Sequence, residues 1–258
     1  MKTAIVVPAR LGSTRLHEKM LHAINGRPVL QWVAERIRDQ VPEFPLYFAV
    51  DHERLRELLE RTGFEAIMTS PEHSCGTDRI AEANRSIGAE NVINVQGDQA
   101  LVSAAQIRSL AELIEGDAEM ATLGTPLEVY ARFNQRSVDD VYKDPGDVKL
   151  VCDRSGNAIY FSRAPIPYFR DAGGNFDGDA AQSSLVLIHL GLYAYTGKFL
   201  DTFASLAPGR LETAEKLEML RATEHGYSIA VGVSNDPYIE IDTAEQARDF
   251  ERYLQKQP

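Results

Sequence analysis

The sequence predicts an α/β fold, a doubly wound and mostly parallel sheet with an inserted antiparallel subregion. Three observations predict it. Short apolar runs, which read as strands buried on both faces, alternate with amphipathic helical stretches through the first half. Polar segments containing glycine follow those runs, at what becomes the carboxyl edge of a parallel sheet, where such folds bind ligands. The middle of the chain then breaks the alternation with hairpin spacing.

The elements follow in order. Residues 4–7 (Ala-Ile-Val-Val) form the first strand. Gly26-Arg27-Pro28 opens a helix, with Pro28 in the first turn, where its missing N–H costs nothing. That helix carries Leu30, Val33, Ala34 and Ile37 at helical spacing. Residues 46–50 are a strand, 53–61 a helix stopped by Gly63, and Ile67-Met68 a short strand. Thr77 or Asp78 caps a helix through Ile80, Ala81, Ala83 and Ile87. Residues 92–95 form a strand ending at Gln96-Gly97-Asp98, and Ser103 caps a helix through Ile107, Leu110 and Ile114. Repeated β-α units of this kind imply parallel strands.

In the middle, residues 148–152 and 158–161 read as strands joined at Ser155-Gly156-Asn157. Residues 168–184 are a long Gly/Asp/Asn-rich loop, a kind more often functional or mobile than inert. Strand character resumes over 189–195. Helices follow over 197–206 and 210–224, a strand over 229–233, and a last helix after Thr243. Repeats, low-complexity tracts and linkers are lacking. The expectation is one domain over 1–258 with a β-rich insertion at roughly 148–196.

Composition narrows the function classes. The 258 residues hold 27 Lys and Arg against 38 Asp and Glu, a formal net charge of −11. Nucleic-acid binding through a general basic surface is therefore not expected, because phosphate neutralisation needs a basic patch. Cys75 and Cys152 have neither metal-ligand nor disulfide-framework spacing, so both are expected as reduced thiols in a cytoplasmic protein. The N-terminus lacks a signal-peptide cleavage region. No apolar stretch approaches the roughly 20 residues that span a bilayer, so no membrane partner is expected.

Against this acidic background, Pro8-Ala9-Arg10-Leu11-Gly12-Ser13-Thr14-Arg15-Leu16-His17-Glu18-Lys19 concentrates positive charge directly after the first strand. Successive N–H groups of such a loop form an anion-binding nest. Arg10, Arg15 and Lys19 suit phosphate oxygens, Arg bidentately and Lys as a point charge. The pattern points to an anionic ligand, most simply a nucleoside triphosphate; a solvated surface loop is the plainer reading. It is not a dinucleotide fingerprint, since G-x-G-x-x-G is absent. Nor is there a P-loop: residues 191–198 have one residue too many, and Phe199 stands where Ser or Thr is needed.

Asp98 follows a strand and a glycine, so it is either a metal ligand or a turn residue. Asp242, just before Thr243, is either a metal ligand or a carboxylate favoured at a helix N-terminus. Two carboxylates beside a triphosphate would repel it, and Mg²⁺ between them removes that repulsion. Arg163, between a strand and Pro165-Ile166-Pro167, could clamp a carboxylate or lie on the surface. His189, at a strand edge, suits a hydrogen-bonded structural role or a place in a substrate pocket.

With these residues assembled, the chain resembles the CMP-Kdo synthetases (3-deoxy-manno-octulosonate cytidylyltransferases) over nearly its whole length. The resemblance is carried by Pro8-Ala9-Arg10, Ser13-Thr14-Arg15-Leu16, Lys19, Ile24-Asn25-Gly26, Gly76-Thr77-Asp78-Arg79 and Asn94-Val95-Gln96-Gly97-Asp98. It continues through Tyr160-Phe161-Ser162-Arg163, Ile166-Pro167, His189-Leu190-Gly191, Leu217-Glu218, Leu220-Arg221 and Asp242-Thr243. Gln99, Ala194-Tyr195-Thr196 and Gly209-Arg210-Leu211-Glu212 look like the branch that uses 8-amino-3,8-dideoxy-octulosonate. The resemblance implies that CTP and a 3-deoxy-octulosonate give a CMP-sugar and pyrophosphate, for lipopolysaccharide precursors, by attack of the anomeric hydroxyl on the α-phosphorus. It implies catalytic Arg10, Lys19, Asp98 and Asp242, with Mg²⁺ on the two aspartates. Ala9, Arg10, Ser13, Arg15, Lys19, Gly76, Thr77, Arg79 and Gln96 would bind the nucleotide, and Arg163, His189, Glu218 and Met219 the sugar acid. It further implies a homodimer built through the insertion, around residues 158–195.

Several positions depart from the family pattern. His17-Glu18 replaces a Pro-Gly pair, so the loop before Lys19 loses its usual turn chemistry. Cys75 replaces Ser, Ala100 replaces Pro, and Met219 stands where a Gln usually faces the sugar acid. On a continuous helix, Ala214, Leu217, Leu220 and Arg221 share one side and Met219 falls opposite. A thioether cannot replace an amide's hydrogen bonds to a polyhydroxyl sugar, so the acceptor is expected to be shorter or modified relative to Kdo. A cytidylyltransferase for another acid, such as a phosphonate or a sialic-acid-like sugar, is the alternative within the same chemistry. A catalytically silent nucleotide-binding protein is the alternative outside it.

Overall fold

All seven residues of β1 (Thr3–Ala9) are buried, as a strand covered on both faces requires. The structure, a computed structural model, describes residues 2–13, 15–73, 75–176, 182 and 184–256. It divides into two units, Met1–Arg108 with Tyr238–Pro258, and Ser109–Pro237.

In the first unit β1 is followed by a two-strand antiparallel ribbon, β2 (Ala23–Ile24) and β3 (Arg27–Pro28). Pro28 therefore ends a ribbon and caps α1 (Val29–Gln40), rather than lying inside the helix. The predicted stripe of α1 holds: Leu30, Val33, Ala34 and Ile37 are all buried. Then come β4 (Leu46–Val50), α2 (Glu53–Arg61), β5 (Glu65–Met68), α3 (Gly76–Ile87), β6 (Asn91–Asn94) and α4 (Ala104–Glu115), which belongs to the second unit from Ser109 on. Cys75, not Thr77 or Asp78, is the N-cap residue of α3; the extended backbone of Cys75 starts the helix two or three residues earlier than hydroxyl and carboxylate preferences suggested. Ser103 does cap α4: its Oγ accepts from Gln106 N–H (3.1 Å), and Gln106 Oε1 accepts from Ser103 N–H (3.0 Å). The C-terminal helix, Ala244–Gln255, begins in a capping box at Thr243, and Phe250 meets Trp32 of α1 edge-on at 5.7 Å.

Strands β1, β4, β5 and β6 are parallel, in the order β6-β1-β4-β5. The chain runs outward from β1 to β5, then returns to the other side of β1. That reversal makes the carboxyl ends of β1 and β6 a topological switch point, the place where a crevice opens in such sheets. The basic loop and Gln96-Gly97-Asp98 both leave from it.

The second unit contains β7 (Met120–Pro126), α5 (Leu127–Phe133), α6 (Val138–Lys143), β8 (Lys149–Cys152), β9 (Ala158–Ser162) and β10 (Leu187–Thr196). They are followed by α7 (Gly197–Ser205), α8 (Arg210–Glu215), α9 (Leu220–Glu224) and β11 (Ala230–Val233). β11 pairs parallel with β7, whereas β7–β10, β10–β8 and β8–β9 are antiparallel. The predicted hairpin of β8 and β9 turns at Gly156, whose φ of 81° suits glycine. The stretch 116–147 carried no sequence expectation, yet it folds into β7, α5 and α6. Leu127, Ala131, Val141 and Tyr142 pack there with Phe169, Val186 and Ile188. Of the predicted 168–184 loop, residues 177–181 and 183 lie outside the described residues.

The helix expected over 210–224 is two helices. Lys216 takes a left-handed conformation (φ 55°) and ends α8, and α9 starts only at Leu220. The continuous wheel that put Met219 opposite the core therefore does not exist. Ala214 is exposed, whereas Met219 is buried. Among the described residues, no helix is long and apolar enough to cross a membrane.

Close packing at the switch point singles out Gly97. A Cβ there would lie 2.9 Å from Met20 Sδ and 3.2 Å from the Pro8 carbonyl oxygen. The thioether can swing aside, but the strand carbonyl cannot. Gly97→Ala is expected to destabilise by about 1–3 kcal/mol, read as a lower urea midpoint at unchanged slope; an unchanged midpoint would contradict this packing.

Candidate active site

The basic loop is held from beside it. Leu11 N–H donates to Asp51 Oδ1 (2.9 Å), and Asp51 directly follows β4. The other Asp51 oxygen accepts from Arg79 Nη2 (3.3 Å). Arg79 Nη1 donates to Thr69 Oγ1 (2.6 Å), whose hydroxyl donates to the Val50 carbonyl (2.9 Å). Burial pushes the Arg79 pKa down while the Asp51 charge opposes it; a guanidinium nevertheless stays charged. Arg79 is thus a buried brace between strand ends. Arg10 is exposed, Ala9 is buried and Ser13 is half-buried.

Lys19, in a single 3₁₀ turn after the loop, donates through Nζ to both Asp98 Oδ2 and Asp242 Oδ1, the latter at 2.5 Å. Arg15 Nη2 reaches Asp242 Oδ2 at 2.5 Å from a largely exposed side chain. Ile241 N–H donates to the Asp98 carbonyl (3.1 Å), which ties the two acidic segments together. Asp242 and Thr243 N–H both donate to Gln246 Oε1 at 2.9 Å, so the helix start fixes the Asp242 backbone. Burial alone would lower the Lys19 pKa, but attraction to Asp98 and Asp242 outweighs it and raises the value. Burial raises the Asp98 pKa against the pull of Lys19.

A third carboxylate joins this group. One oxygen each of Asp98, Glu240 and Asp242 lies within 4.8 Å of the others. Burial first, then the charges of Asp98 and Asp242, push Glu240 up to about 8. Asp98 Oδ1 is buried without a hydrogen-bond partner, a state that is costly unless something else satisfies it. An all-oxygen donor set with an unsatisfied carboxylate oxygen suits a hard divalent cation.

The remaining nucleotide-side residues lie at the same sheet edge. A Cβ added to Gly76 would stand 3.4 Å from Pro8 Cγ and 3.6 Å from Gln96 Oε1, so Gly76, Pro8 and Gln96 converge. Gln96 Nε2 donates to Asn94 Oδ1 (3.0 Å) and Gln96 N–H to Gln99 Oε1 (3.1 Å). Thr77 is buried in the first turn of α3.

The other four predicted residues lie in the second unit. Arg163, just past β9, donates through Nε to the Glu215 carbonyl (2.7 Å) and through Nη1 to the Pro145 carbonyl (2.9 Å). Its carbonyl accepts from Nζ of the fully buried Lys149 (2.8 Å). Glu215 also accepts from Ser162 Oγ (2.8 Å), which ties α8 to the end of β9. His189, on β10, sits between the rings of Phe161 (5.4 Å) and Tyr193 (5.3 Å), with Nε2 3.2 Å from Thr122 Oγ1. Glu218 and Met219 lie in the turn between α8 and α9.

Two residues were missed from sequence. Asp51 carried the same signal as Asp98, an aspartate directly after a buried strand. Glu240 is two residues from Asp242, the spacing that puts side chains on one side of an extended segment.

Residues 4–229 match the family model for cytidylyltransferases. The chain is 42% identical over 260 residues to the 8-amino-3,8-dideoxy-manno-octulosonate cytidylyltransferase of Shewanella sp. (strain W3-18-1), covering 98% of this chain and 99% of that one. Its fold is similar to that of CMP:2-keto-3-deoxy-manno-octonic acid synthetase complexed with CTP, with a TM-score of 0.84 and 30% identity over 99% of each chain. A cytidylyltransferase from Leptospira borgpetersenii, 14% identical with a TM-score of 0.63, covers 100% of this chain and 88% of its own, and shares the fold.

Burial pushes the His189 imidazole from 6.5 down to about 3. The stability it contributes is present above pH 6.5 and lost as the pH falls from there towards 3, because the unfolded chain then binds a proton that the folded chain refuses. His189→Gln should flatten the fall in urea stability between pH 6.5 and 4. Parallel wild-type and variant profiles would refute this.

Proposed function

The chain belongs to the cytidylyltransferase family, and from that premise we propose that it transfers CMP from CTP to the anomeric hydroxyl of a 3-deoxy-octulosonate. The acceptor is the 8-amino-3,8-dideoxy sugar or Kdo itself, and pyrophosphate leaves. The observation that carries this reading is Lys19 between Asp98 and Asp242 at the sheet's switch point, next to the basic loop. Arg10 and Arg15 pair with phosphate oxygens of the triphosphate, and Lys19 supplies positive charge where negative charge develops in the transition state. Gly12 and the loop N–H groups admit the phosphates closely. Gly76, Thr77 and Gln96 bound the nucleoside, and Arg79 holds the wall behind them through Asp51.

Asp98 and Asp242 would hold Mg²⁺, with Glu240 beside them. That ion would neutralise the triphosphate and polarise the α-phosphorus towards attack. Arg163 faces the acceptor carboxylate with a guanidinium already anchored on two carbonyls. His189, neutral at physiological pH, hydrogen-bonds sugar hydroxyls without adding charge. Glu218 and Met219 complete the acceptor contacts. The thioether of Met219 offers no hydrogen bonds, which suits a modified octulosonate. The same reading takes residues 1–258 as one nucleotidyltransferase domain working as a homodimer in the cytoplasm, where CTP is made, and supplying lipopolysaccharide precursors.

Pyrophosphate release with CTP and Mg²⁺ tests it across a panel of acids. Turnover is expected with 8-amino-3,8-dideoxy-octulosonate or Kdo, and not with a phosphonate or a sialic acid. Asp98→Asn should lower kcat by about 10³-fold. No turnover with either octulosonate, or an undiminished Asp98→Asn enzyme, would overturn the proposal.

A further inference from the structure

The departure at His17-Glu18 is not absorbed by the function, and the structure gives it a partner. Glu18 takes a left-handed backbone conformation, φ 46° and ψ 45°. A residue with a Cβ adopts this region at a cost, whereas glycine adopts it freely. The Glu18 carbonyl accepts from Leu21 N–H (2.8 Å) and His22 N–H (3.1 Å), which closes the turn bearing Lys19. The Glu18 carboxylate is gripped by both terminal nitrogens of Arg54, with Nη2 2.8 Å from Oε2. That grip holds the Glu18 carboxyl below the usual carboxylate range.

Arg54 lies in the first turn of α2, and its own N–H donates to the side chain of the N-cap residue His52 (3.1 Å). Three residues earlier, Asp51 accepts from Leu11 N–H at the other end of the basic loop. One short turn, residues 51–54, therefore holds the loop at both ends: by a buried-side carboxylate at Leu11 and by an exposed guanidinium at Glu18.

We propose that this turn is a clasp that sets how the loop presents its cations to the triphosphate, with Asp51 and Arg54 as positioning residues. The inference rests on the loop being the triphosphate site. Without the Arg54 grip, Glu18 relaxes out of the left-handed region and Lys19 spends less time in the binding arrangement. Apparent affinity falls in proportion to the competent fraction. Bound CTP restores the order, so turnover of the saturated enzyme persists. Arg54 touches no reacting atom and Glu18 is replaceable by glycine, so the two substitutions are coupled.

The test is a double-substitution cycle on the full-length chain, read by steady-state kinetics with CTP varied and by thermal unfolding. Arg54→Ala is expected to raise the KM for CTP by about fivefold, the scale of an exposed bidentate pair, with kcat within about twofold and an unchanged Tm. Glu18→Gly in the Arg54→Ala background should bring KM back to within about twofold of wild type. An Arg54→Ala KM equal to wild type, or a double variant as impaired as Arg54→Ala, overturns the clasp. Lys19→Ala is run alongside. A Lys19→Ala enzyme with wild-type kinetics removes the triphosphate site itself, whereas its loss of activity together with an unmoved Arg54→Ala removes only the clasp.

Discussion

The ion group of Lys19 with Asp98 and Asp242 is the constraint on which the rest of the first unit depends. Three segments far apart in sequence must meet to form it: the turn after β1's loop, the end of β6 and the start of the C-terminal helix. Burying these charges is unfavourable unless each finds its partner, and removing one partner from such a group typically costs about 3–5 kcal/mol. The surrounding structure is arranged accordingly. The Asp98 carbonyl accepts from Ile241 N–H, Gln246 fixes the Asp242 backbone, and Gly97 lets its strand end approach Pro8 and Met20.

Most of this was legible in the sequence where local chemistry decides structure. Buried strands, the α1 stripe and the cap at Ser103 follow from periodicity and side-chain hydrogen bonding, and the structure repeats them. Asp98 and Asp242 stand out in the sequence because each ends an extended segment, and the structure brings both to Lys19. Legibility failed where tertiary packing outweighs local preference. Met120–Pro126 is buried from Met120 to Thr125, but its small residues give no alternating signal. Lys216 breaks a stretch of good helix formers, because no local rule forbids a lysine from taking a left-handed turn when the chain must change direction. That break reversed the expectation for Met219, whose burial follows from the turn rather than from a helix face.

The second unit solves a different electrostatic problem. Lys149 is fully buried and its pKa is pushed down to about 8 by burial, with Asp147 and Asp144 opposing. Its ammonium satisfies the Asp144 and Arg163 carbonyls. His189 lies among aromatic rings and stays neutral. The first unit gathers charge; the second mostly turns charge to internal use, holding backbone in place.

The division into two units also bears on how such a protein can change over evolutionary time. Under the roles proposed, every residue for the nucleotide and the metal belongs to the first unit, and every acceptor residue to the second. Met219 lies in a different unit from the buried ions around Lys19. Under those proposed roles, a packing change in the second unit would alter acceptor contacts without touching the ion group around Lys19.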